Sequence, residues 1–470
     1  MRKTTYKVKV LKIETRRNKH GEPTSYRVEW WTDNERWRET FKREPQADAF
    51  RSSLITAARN GEAFSLTNGE PLSWGRAKRA TTSWYDFACS YVDMKWKDAA
   101  AKYRQDIARA LTAATPAMII EDRGMSDAAF LRSAMHRWGF NTKDRPNAPD
   151  EVAGALRWLS LNTRPVADLV DPAVARALLT AGTSRLTGKS VAPNTARKHR
   201  MLLANAMDYA VEQGLLDENP IRSLKWTPPR ASGQVDRRSV VNHTQARALL
   251  AAVETQQPSG KRLMAFFALM YYAALRPEEA MSLRKQDVTL PALVLNKATQ
   301  EQEEPADAWG EIHLSEAHPF AGAAWTDDGT AREKRALKHR AEGEGRTVPC
   351  EPALTRILRR HLADFGDGPH GLLFYGVRGG DLPAITYRRA WRKARQDALS
   401  ASEAASPLAA RPYDLRHACV STWLNAGVPA PQVAEWAGHS VEVLLRVYAK
   451  CIDGQDETAR RRITEAREED

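Results

Sequence analysis

The chain has 470 residues, of which 42% are hydrophobic, and a formal net charge of +13. This length and apolar content exclude an intrinsically disordered protein and predict two or three domains with cores of their own. The basic excess favours a polyanionic partner such as nucleic acid, because each cation beside a phosphate displaces a counterion, although solubility alone would also account for it.

Several classes of protein are disfavoured by what the sequence lacks. The four cysteines are scattered without the spacing of a disulfide framework or a zinc site. The basic N-terminus alternates polar and apolar residues, unlike the apolar centre of a signal peptide, and no apolar run reaches membrane-spanning length. We therefore expect a cytoplasmic protein that makes no membrane contact.

Residues 1–75 are predicted to form a small module of three strands and one helix. Charged and apolar residues alternate in three segments, as in a sheet with one solvated face: Tyr6–Val10, Tyr26–Trp30 and Arg36–Phe41. Apolar residues recur at helical spacing over Gln46–Asn60. The basic side chains of this sheet would suit either a DNA groove or an ordinary solvated surface.

Residues 80–226 are predicted to be helical, and residues 227–239 to be a linker. Helices are expected at Trp84–Lys97, Ala99–Thr112, Ser126–Trp138, Pro149–Leu161 and Pro172–Thr180, and after a cap at Pro193-Asn194-Thr195. Asp171 is the expected N-cap of the helix that begins at Pro172. The linker contains proline, glycine and arginine and lacks apolar periodicity.

Residues 240–470 are predicted to form a third, mainly helical unit with short strands, including Leu293–Leu295 and Arg346–Pro349. The expected fold class is therefore multidomain α+β. It consists of a three-stranded sheet with a helix, a helical domain, and a mixed, mainly helical domain.

Four short motifs in this third unit contain side chains suited to phosphoryl chemistry. They are Leu275-Arg276-Pro277-Glu278-Glu279, Tyr413-Asp414-Leu415-Arg416-His417, Gly438-His439-Ser440, and Tyr448, which stands nine residues after His439. In-line cleavage of a phosphodiester needs a nucleophile, cations on the non-bridging oxygens and a proton for the leaving oxygen. Arginine can bind two phosphate oxygens at once, and tyrosine can store the phosphoryl bond for religation.

The order and spacing of these motifs resemble the catalytic domain of the tyrosine recombinases, the phage integrase family. The resemblance implies that Arg276 and Arg416 clamp the scissile phosphate and that Tyr448 attacks it to form a 3′-phosphotyrosine bond. It also implies that His439 hydrogen-bonds the phosphate and that Glu279 braces the site. We expect no metal and no cofactor, because arginines stand where magnesium would otherwise serve.

The sequence departs from the family pattern in two places. Tyr413 occupies a position that is usually histidine; tyrosine can hydrogen-bond a phosphate but is a poor base near neutral pH. His417 is expected to pack or orient its neighbours. The lysine that protonates the leaving oxygen must be chosen within a long hairpin. We select Lys338, which precedes a glycine-rich turn, with Lys334 as the alternative.

The upstream regions resemble the family more weakly, residues 1–75 as an arm-type DNA-binding module and residues 80–226 as a core-binding domain. The implied protein is a bacterial site-specific integrase of a phage or mobile element. Its expected partners are double-stranded DNA at attachment sites, three further copies in a tetramer, and a directionality factor. A charged tail at residues 457–470 is expected to dock on a neighbouring copy. The alternatives are a type IB topoisomerase-like enzyme and a DNA-binding protein with a decayed active site.

Overall fold

The computed structural model describes residues 4–74, 82–185, 189–229, 233–295, 297, 300–338, 340–341, 343–376, 379–448, 451, 460–461 and 464. They form two compact units, residues 1–230 and residues 231–470. Both units combine helices with antiparallel strands, so the fold class is α+β and multidomain, as predicted.

The first unit begins with a sheet built around the long strand Pro23–Thr32. Glu35–Phe41 pairs with one edge of that strand, and Val8–Val10 and Glu14–Arg17 pair in succession with the other edge. The strands Thr4–Thr5 and Phe64–Ser65 pair separately. The helix Glu44–Arg59 covers one face, where Val28, Trp30, Leu54 and Phe64 are buried together.

Two details of this sheet differ from the prediction. The first predicted strand begins at Val8, and Tyr6 is exposed. The strand Glu14–Arg17 was missed because all four of its residues are exposed, so their sequence contains no alternation to detect. Main-chain pairing with the neighbouring strand holds this segment in place.

The remainder of the first unit is helical. Its helices are Trp84–Trp96, Ala101–Ala114, Ala128–Ala134, Asp150–Asn162, Pro172–Gly182, Pro193–Glu212 and Pro220–Ser223. The predicted N-cap is confirmed, since the carboxylate of Asp171 accepts the N–H of Ala173 at 2.8 Å. The predicted cap at Pro193-Asn194-Thr195 is wrong: the helix begins at Pro193 itself, after Ala192, which makes no side-chain cap.

The second unit is organised around the helix Gly260–Tyr272, most of whose residues are buried. The other helices described in this unit are His243–Glu254, Pro277–Ser282, Pro352–Phe365, Ala384–Ala398, Ala401–Ala405, Asp414–Asn425, Ala430–Ala437 and Val441–Tyr448. The central helix contacts His243–Glu254, Pro352–Phe365 and Asp414–Asn425. A helix that is apolar on all sides needs such enclosure, and this one anchors the motifs that follow it.

A small antiparallel sheet flanks these helices. Its strands lie in the order Arg346–Cys350, Gly310–Leu314, Val288–Thr289. Shorter pairs join Val294–Leu295 to Gln302–Glu303 and Glu316–Ala317 to Arg335–Ala336. The predicted strands near Leu293 and Arg346 are therefore both confirmed.

The second half of the predicted linker belongs to the second unit. Val235 is buried, and its N–H donates to the carbonyl of Val447 at 2.9 Å. A single apolar residue carries no periodicity, so this packing could not be predicted from the sequence. The predicted boundary between the first two domains lies at residues 75–81, outside the described ranges, and that division stays a prediction.

Two further expectations concern the whole chain. Across the described ranges, no helix combines the length and the apolar character needed to cross a bilayer. Most of the predicted docking tail at residues 457–470 lies outside those ranges.

Candidate active site

The first arginine of the motifs lies where the central helix ends and a new helix begins. Ala274 adopts a left-handed conformation with φ of 51°, which turns the chain away from the central helix. Arg276 then precedes the helix Pro277–Ser282 as its N-cap residue. Glu279 accepts the backbone N–H of Arg276 at 2.8 Å and its guanidinium Nη1 at 2.7 Å. The carboxylate therefore fixes both the main chain and the side chain of Arg276.

A second arginine, which the sequence analysis did not select, binds the same carboxylate. Arg346 donates to Glu279 through Nη1 at 3.0 Å and Nη2 at 2.8 Å, a bidentate pair with almost no exposure. Burial raises the pKa of Glu279, but Arg346 and Arg276 outweigh it and lower that pKa to about 2. Along its strand, Arg346 points to the same buried side as Val348 and Cys350. This alternation was the one feature of the sequence that could have indicated a buried arginine.

Three arginine side chains donate hydrogen bonds to carbonyls at the end of the helix Ala430–Ala437. The carbonyl of Trp436 accepts from Arg346, that of Ala437 from Arg416, and that of Gly438 from Arg276. These carbonyls lack partners within the helix and form the negative end of its dipole, so cations stabilise them. Gly438 itself ends the helix in the left-handed conformation, with φ of 63°.

Arg416 is the most deeply buried of these arginines, with no exposed surface. It lies in the first turn of the helix Asp414–Asn425 and donates to the carbonyls of Ala274 and Ala437. Its Nη2 also contacts Nε2 of His439 at 2.9 Å. Burial and the nearby Arg276 lower the pKa of Arg416, so the site holds this cation against a desolvation cost.

His439 is held as a neutral imidazole. Burial, Arg416 and Arg276 lower its pKa to about 3. Because Nε2 faces a guanidinium that can only donate, the ring proton belongs on Nδ1. Within the described part of the chain, Nδ1 of His439 and Nε of Arg416 are both buried without a hydrogen-bond partner. Two adjacent donors are thus left for a ligand that accepts hydrogen bonds.

Tyr448 is the last residue of the helix Val441–Tyr448, and its ring lies beside that of His439. Its side chain is fully buried, one turn after the buried Leu444. Its hydroxyl lies 2.8 Å from Nδ1 of His417. Burial raises the pKa of the Tyr448 phenol, although Arg416 opposes the shift, so the group is protonated at neutral pH.

Tyr413 supports its neighbours through its ring. The ring meets the His417 imidazole edge-on, with centroids 5.1 Å apart. The guanidinium of Arg416 lies 5.9 Å from the centre of the same ring. These contacts place Tyr413 beside the site as a packing group.

Neither candidate lysine has a described hydrogen bond or ion pair with this cluster. Lys338 is exposed just after the strand Arg335–Ala336, and within the described ranges no hydrogen bond or ion pair engages its amine. Lys334 is also exposed, but its amine forms an ion pair with Glu316 at 2.6 Å. Arg276 pairs with Glu279, and Arg416 contacts His439, whose ring lies beside that of Tyr448. The two groups meet at the end of the helix Ala430–Ala437, where Arg276 and Arg416 donate to neighbouring carbonyls.

The site carries an excess of positive charge. It gathers three guanidinium groups and one carboxylate, which binds Arg276 and Arg346, and the neighbouring histidines are neutral. The excess of positive charge suits a bound anion with several acceptor oxygens, such as a phosphate group. Among the described residues there is also no cluster of His, Cys, Asp and Glu placed to hold a metal ion.

Replacing Glu279 by glutamine should destabilise the protein strongly. The change preserves shape but leaves buried guanidiniums without their counter-charge, a loss of about 3–5 kcal/mol for a broken buried pair. Thermal and denaturant unfolding would measure this loss of stability. Glu442→Gln is the matched control, because Glu442 forms an exposed pair with Arg446 and should change stability little. Equal losses in the two variants would contradict the role given to Glu279.

Gly438→Ala should impair the site through contact as well as through backbone strain. A Cβ at this position would lie 3.0 Å from Nη1 of Arg346 and 3.2 Å from Nη1 of Arg276. Gly214→Ala is the control, since Gly214 has a similar φ of 67° and its Cβ would meet no atom within 4 Å. Both should lose about 1–3 kcal/mol of stability through backbone strain, and Gly438→Ala should lose more in total because its Cβ also presses on two buried guanidiniums. Denaturant unfolding would measure both losses, and equal losses in the two variants would refute the contact.

The chain is similar to known integrases and tyrosine recombinases. The sequence profile of the phage integrase family matches residues 314–453. An integrase of Streptomyces ambofaciens is 26% identical over 261 residues, covering 53% of this chain and 58% of that protein. The tyrosine recombinase XerD of Ralstonia nicotianae is 24% identical over 262 residues, covering 54% of this chain and 68% of that protein. The aligned part thus spans little more than half of the Streptomyces relative.

Among solved structures, one that is similar to this chain is the Tn1549 transposon integrase in complex with transposon right end DNA. The two structures align with a TM-score of 0.44 and 15% sequence identity. The alignment covers 69% of this chain and 96% of the integrase chain. The matched family segment contains Lys338, Tyr413, Arg416, His439 and Tyr448, while Arg276 and Glu279 lie upstream of it. The chain is thus similar to the phage integrase family through residues 314–453.

Proposed function

We propose that this protein is a site-specific DNA recombinase that cleaves and rejoins duplex DNA through a 3′-phosphotyrosine bond at Tyr448. One observation carries the proposal: a buried group of arginines with excess positive charge adjoins a buried phenol. The similarity of residues 314–453 to the phage integrase family supports the same proposal.

Arg276 and Arg416 bind the scissile phosphate in this proposal. A guanidinium has five N–H groups. The hydrogen bonds described for the side chain of Arg276 end on Glu279 and Gly438, and those of Arg416 end on Ala274, Ala437 and His439. Each arginine therefore keeps donors for phosphate oxygens, and the Nδ1 proton of His439 adds one more.

Cleavage exchanges one phosphoester bond for another. The Tyr448 oxygen forms a bond to phosphorus, the bond to the 5′ oxygen breaks, and the phenolic proton passes to a base beside the hydroxyl. The 5′ oxygen takes a proton from Lys338, whose exposed amine is free of described ion pairs. Rejoining reverses these steps, because the phosphotyrosine bond conserves the energy of the phosphodiester. Lys334 suits this role less well, since it is paired with Glu316.

The first unit would supply DNA contacts outside the catalytic region. On the sheet face opposite the helix Glu44–Arg59, Lys9, Arg16 and Arg38 are exposed. Arg27 and Arg36 lie on the same face but share Glu29. We infer that this face binds the phosphates of an arm-type site, that residues 80–226 bind the core site, and that the enzyme acts in the bacterial cytoplasm.

We further propose that four copies assemble on two attachment sites to integrate a phage or mobile element, with a directionality factor as an additional partner. An assay with paired sites would detect strand exchange. Relaxation of supercoiled DNA without exchange would instead indicate a type IB topoisomerase-like enzyme, and DNA binding without cleavage would indicate a decayed active site.

Covalent trapping tests the proposed nucleophile. A nicked duplex built from the DNA that flanks the gene should be captured by the wild-type protein, because the short fragment that carries the new 5′ hydroxyl diffuses away and the strand cannot be rejoined. Tyr448→Phe should capture none. Tyr375→Phe is the control, since that hydroxyl donates to the carbonyl of Phe365 outside the site, and it should trap DNA normally. Trapping by Tyr448→Phe would exclude Tyr448 as the nucleophile.

Leaving-group substitution tests the proposed general acid. Lys338→Ala should slow cleavage by about 10²-fold or more. A substrate with sulfur at the 5′ bridging position should restore the rate, because a thiolate leaves without needing a proton. Lys334→Ala on the ordinary substrate should cleave much faster than Lys338→Ala. If the sulfur substrate restored the cleavage rate of Lys334→Ala and not that of Lys338→Ala, Lys334 would be the general acid.

A further inference from the structure

The environment of the Tyr448 hydroxyl contains a group to which the family resemblance gave no catalytic role. Position 413, where the family usually has histidine, holds tyrosine, and its ring packs against His417. His417 directs Nδ1 to the Tyr448 hydroxyl at 2.8 Å. The histidine one helical turn further along thus reaches the nucleophile.

His417 also lines a cavity of about 400 Å³. The wall of this cavity includes Gln234, Asp236, Arg411 and Val447. The side chain of His417 is therefore in contact both with a fully buried phenol and with a space that can hold water. An imidazole that takes up a proton at Nδ1 has a second proton, at Nε2, to give up.

We propose that His417 accepts the proton of Tyr448 during cleavage and passes it to solvent through this cavity. This inference rests on the function proposed above and names the base for its nucleophile. As the phenolic oxygen bonds to phosphorus and the bond to the 5′ oxygen breaks, the proton moves to Nδ1 of His417. The imidazolium then releases its Nε2 proton to the cavity, and religation runs the same transfers backwards.

The charged surroundings of His417 fit an acceptor that starts neutral. Burial, Arg411 and Arg416 lower its pKa to about 4, so at neutral pH Nδ1 offers a lone pair. Arg411 is itself paired with Asp414 at 3.0 Å. The other titratable groups facing the site are Tyr413, His439, Asp236 and Tyr448. A bound phosphodiester adds a negative charge, which favours the imidazolium as the reaction proceeds.

Chemical rescue tests the assignment. His417→Ala should retain DNA affinity within about threefold but form the covalent complex about 10²-fold more slowly or worse. Added imidazole should restore much of that rate, because removing the side chain opens a path from the cavity to the phenol. His417→Asn keeps a polar group near the Nδ1 position and guards against misfolding, but it cannot take the proton and should remain slow.

The controls separate this role from packing and from the proposed function. His370→Asn changes an exposed histidine in a left-handed conformation that asparagine tolerates, and it should trap DNA normally. Covalent complex formation by His417→Ala at the wild-type rate would overturn the inference, as would a loss that imidazole does not relieve. A larger loss in Tyr413→Phe than in His417→Ala would assign the proton to Tyr413. Absence of trapping by the wild-type protein would instead defeat the proposed function.

Discussion

The site depends on one buried carboxylate. Glu279 accepts hydrogen bonds from the backbone and side chain of Arg276 and from both terminal nitrogens of Arg346. Without this anion, Arg276, Arg346 and Arg416 would be buried cations in mutual repulsion, and desolvation would oppose their approach. One carboxylate among three guanidiniums lets the fold close while leaving a net positive charge. That remaining charge is what an incoming phosphate can neutralise.

The helix Ala430–Ala437 connects the arginines around Glu279 to Tyr448. Its last carbonyls bind the arginines, and the left-handed Gly438 then directs the chain into His439 and the helix that ends at Tyr448. The arginines and the phenol are consequently positioned by the same short segment. A shift of this helix end would move the three arginines and the Tyr448 phenol together, which explains why a glycine is needed at the junction.

The sequence revealed the motifs because their chemistry is concentrated in few residues with fixed order. Arg276, Glu279, Arg416, His439 and Tyr448 could be selected from that order, and the structure brings them into one cluster. Arg346 was missed because a buried ion pair between distant segments leaves no local pattern beyond strand parity. The contact between His417 and Tyr448 depends on how two helices pack, which neighbouring residues do not encode. Lys338 stays a prediction because an exposed hairpin amine has no partner to fix it.

The most direct measurement is identification of the residue that carries the DNA. After trapping, nuclease trimming and trypsin digestion, mass spectrometry can locate a nucleotide attached through its 3′-phosphate. Cleavage after Arg446 and Lys450 isolates Tyr448 in a four-residue peptide, in which it is the only tyrosine. The account predicts the nucleotide on that peptide. A nucleotide on a peptide containing Tyr413, or on any other residue, would contradict it.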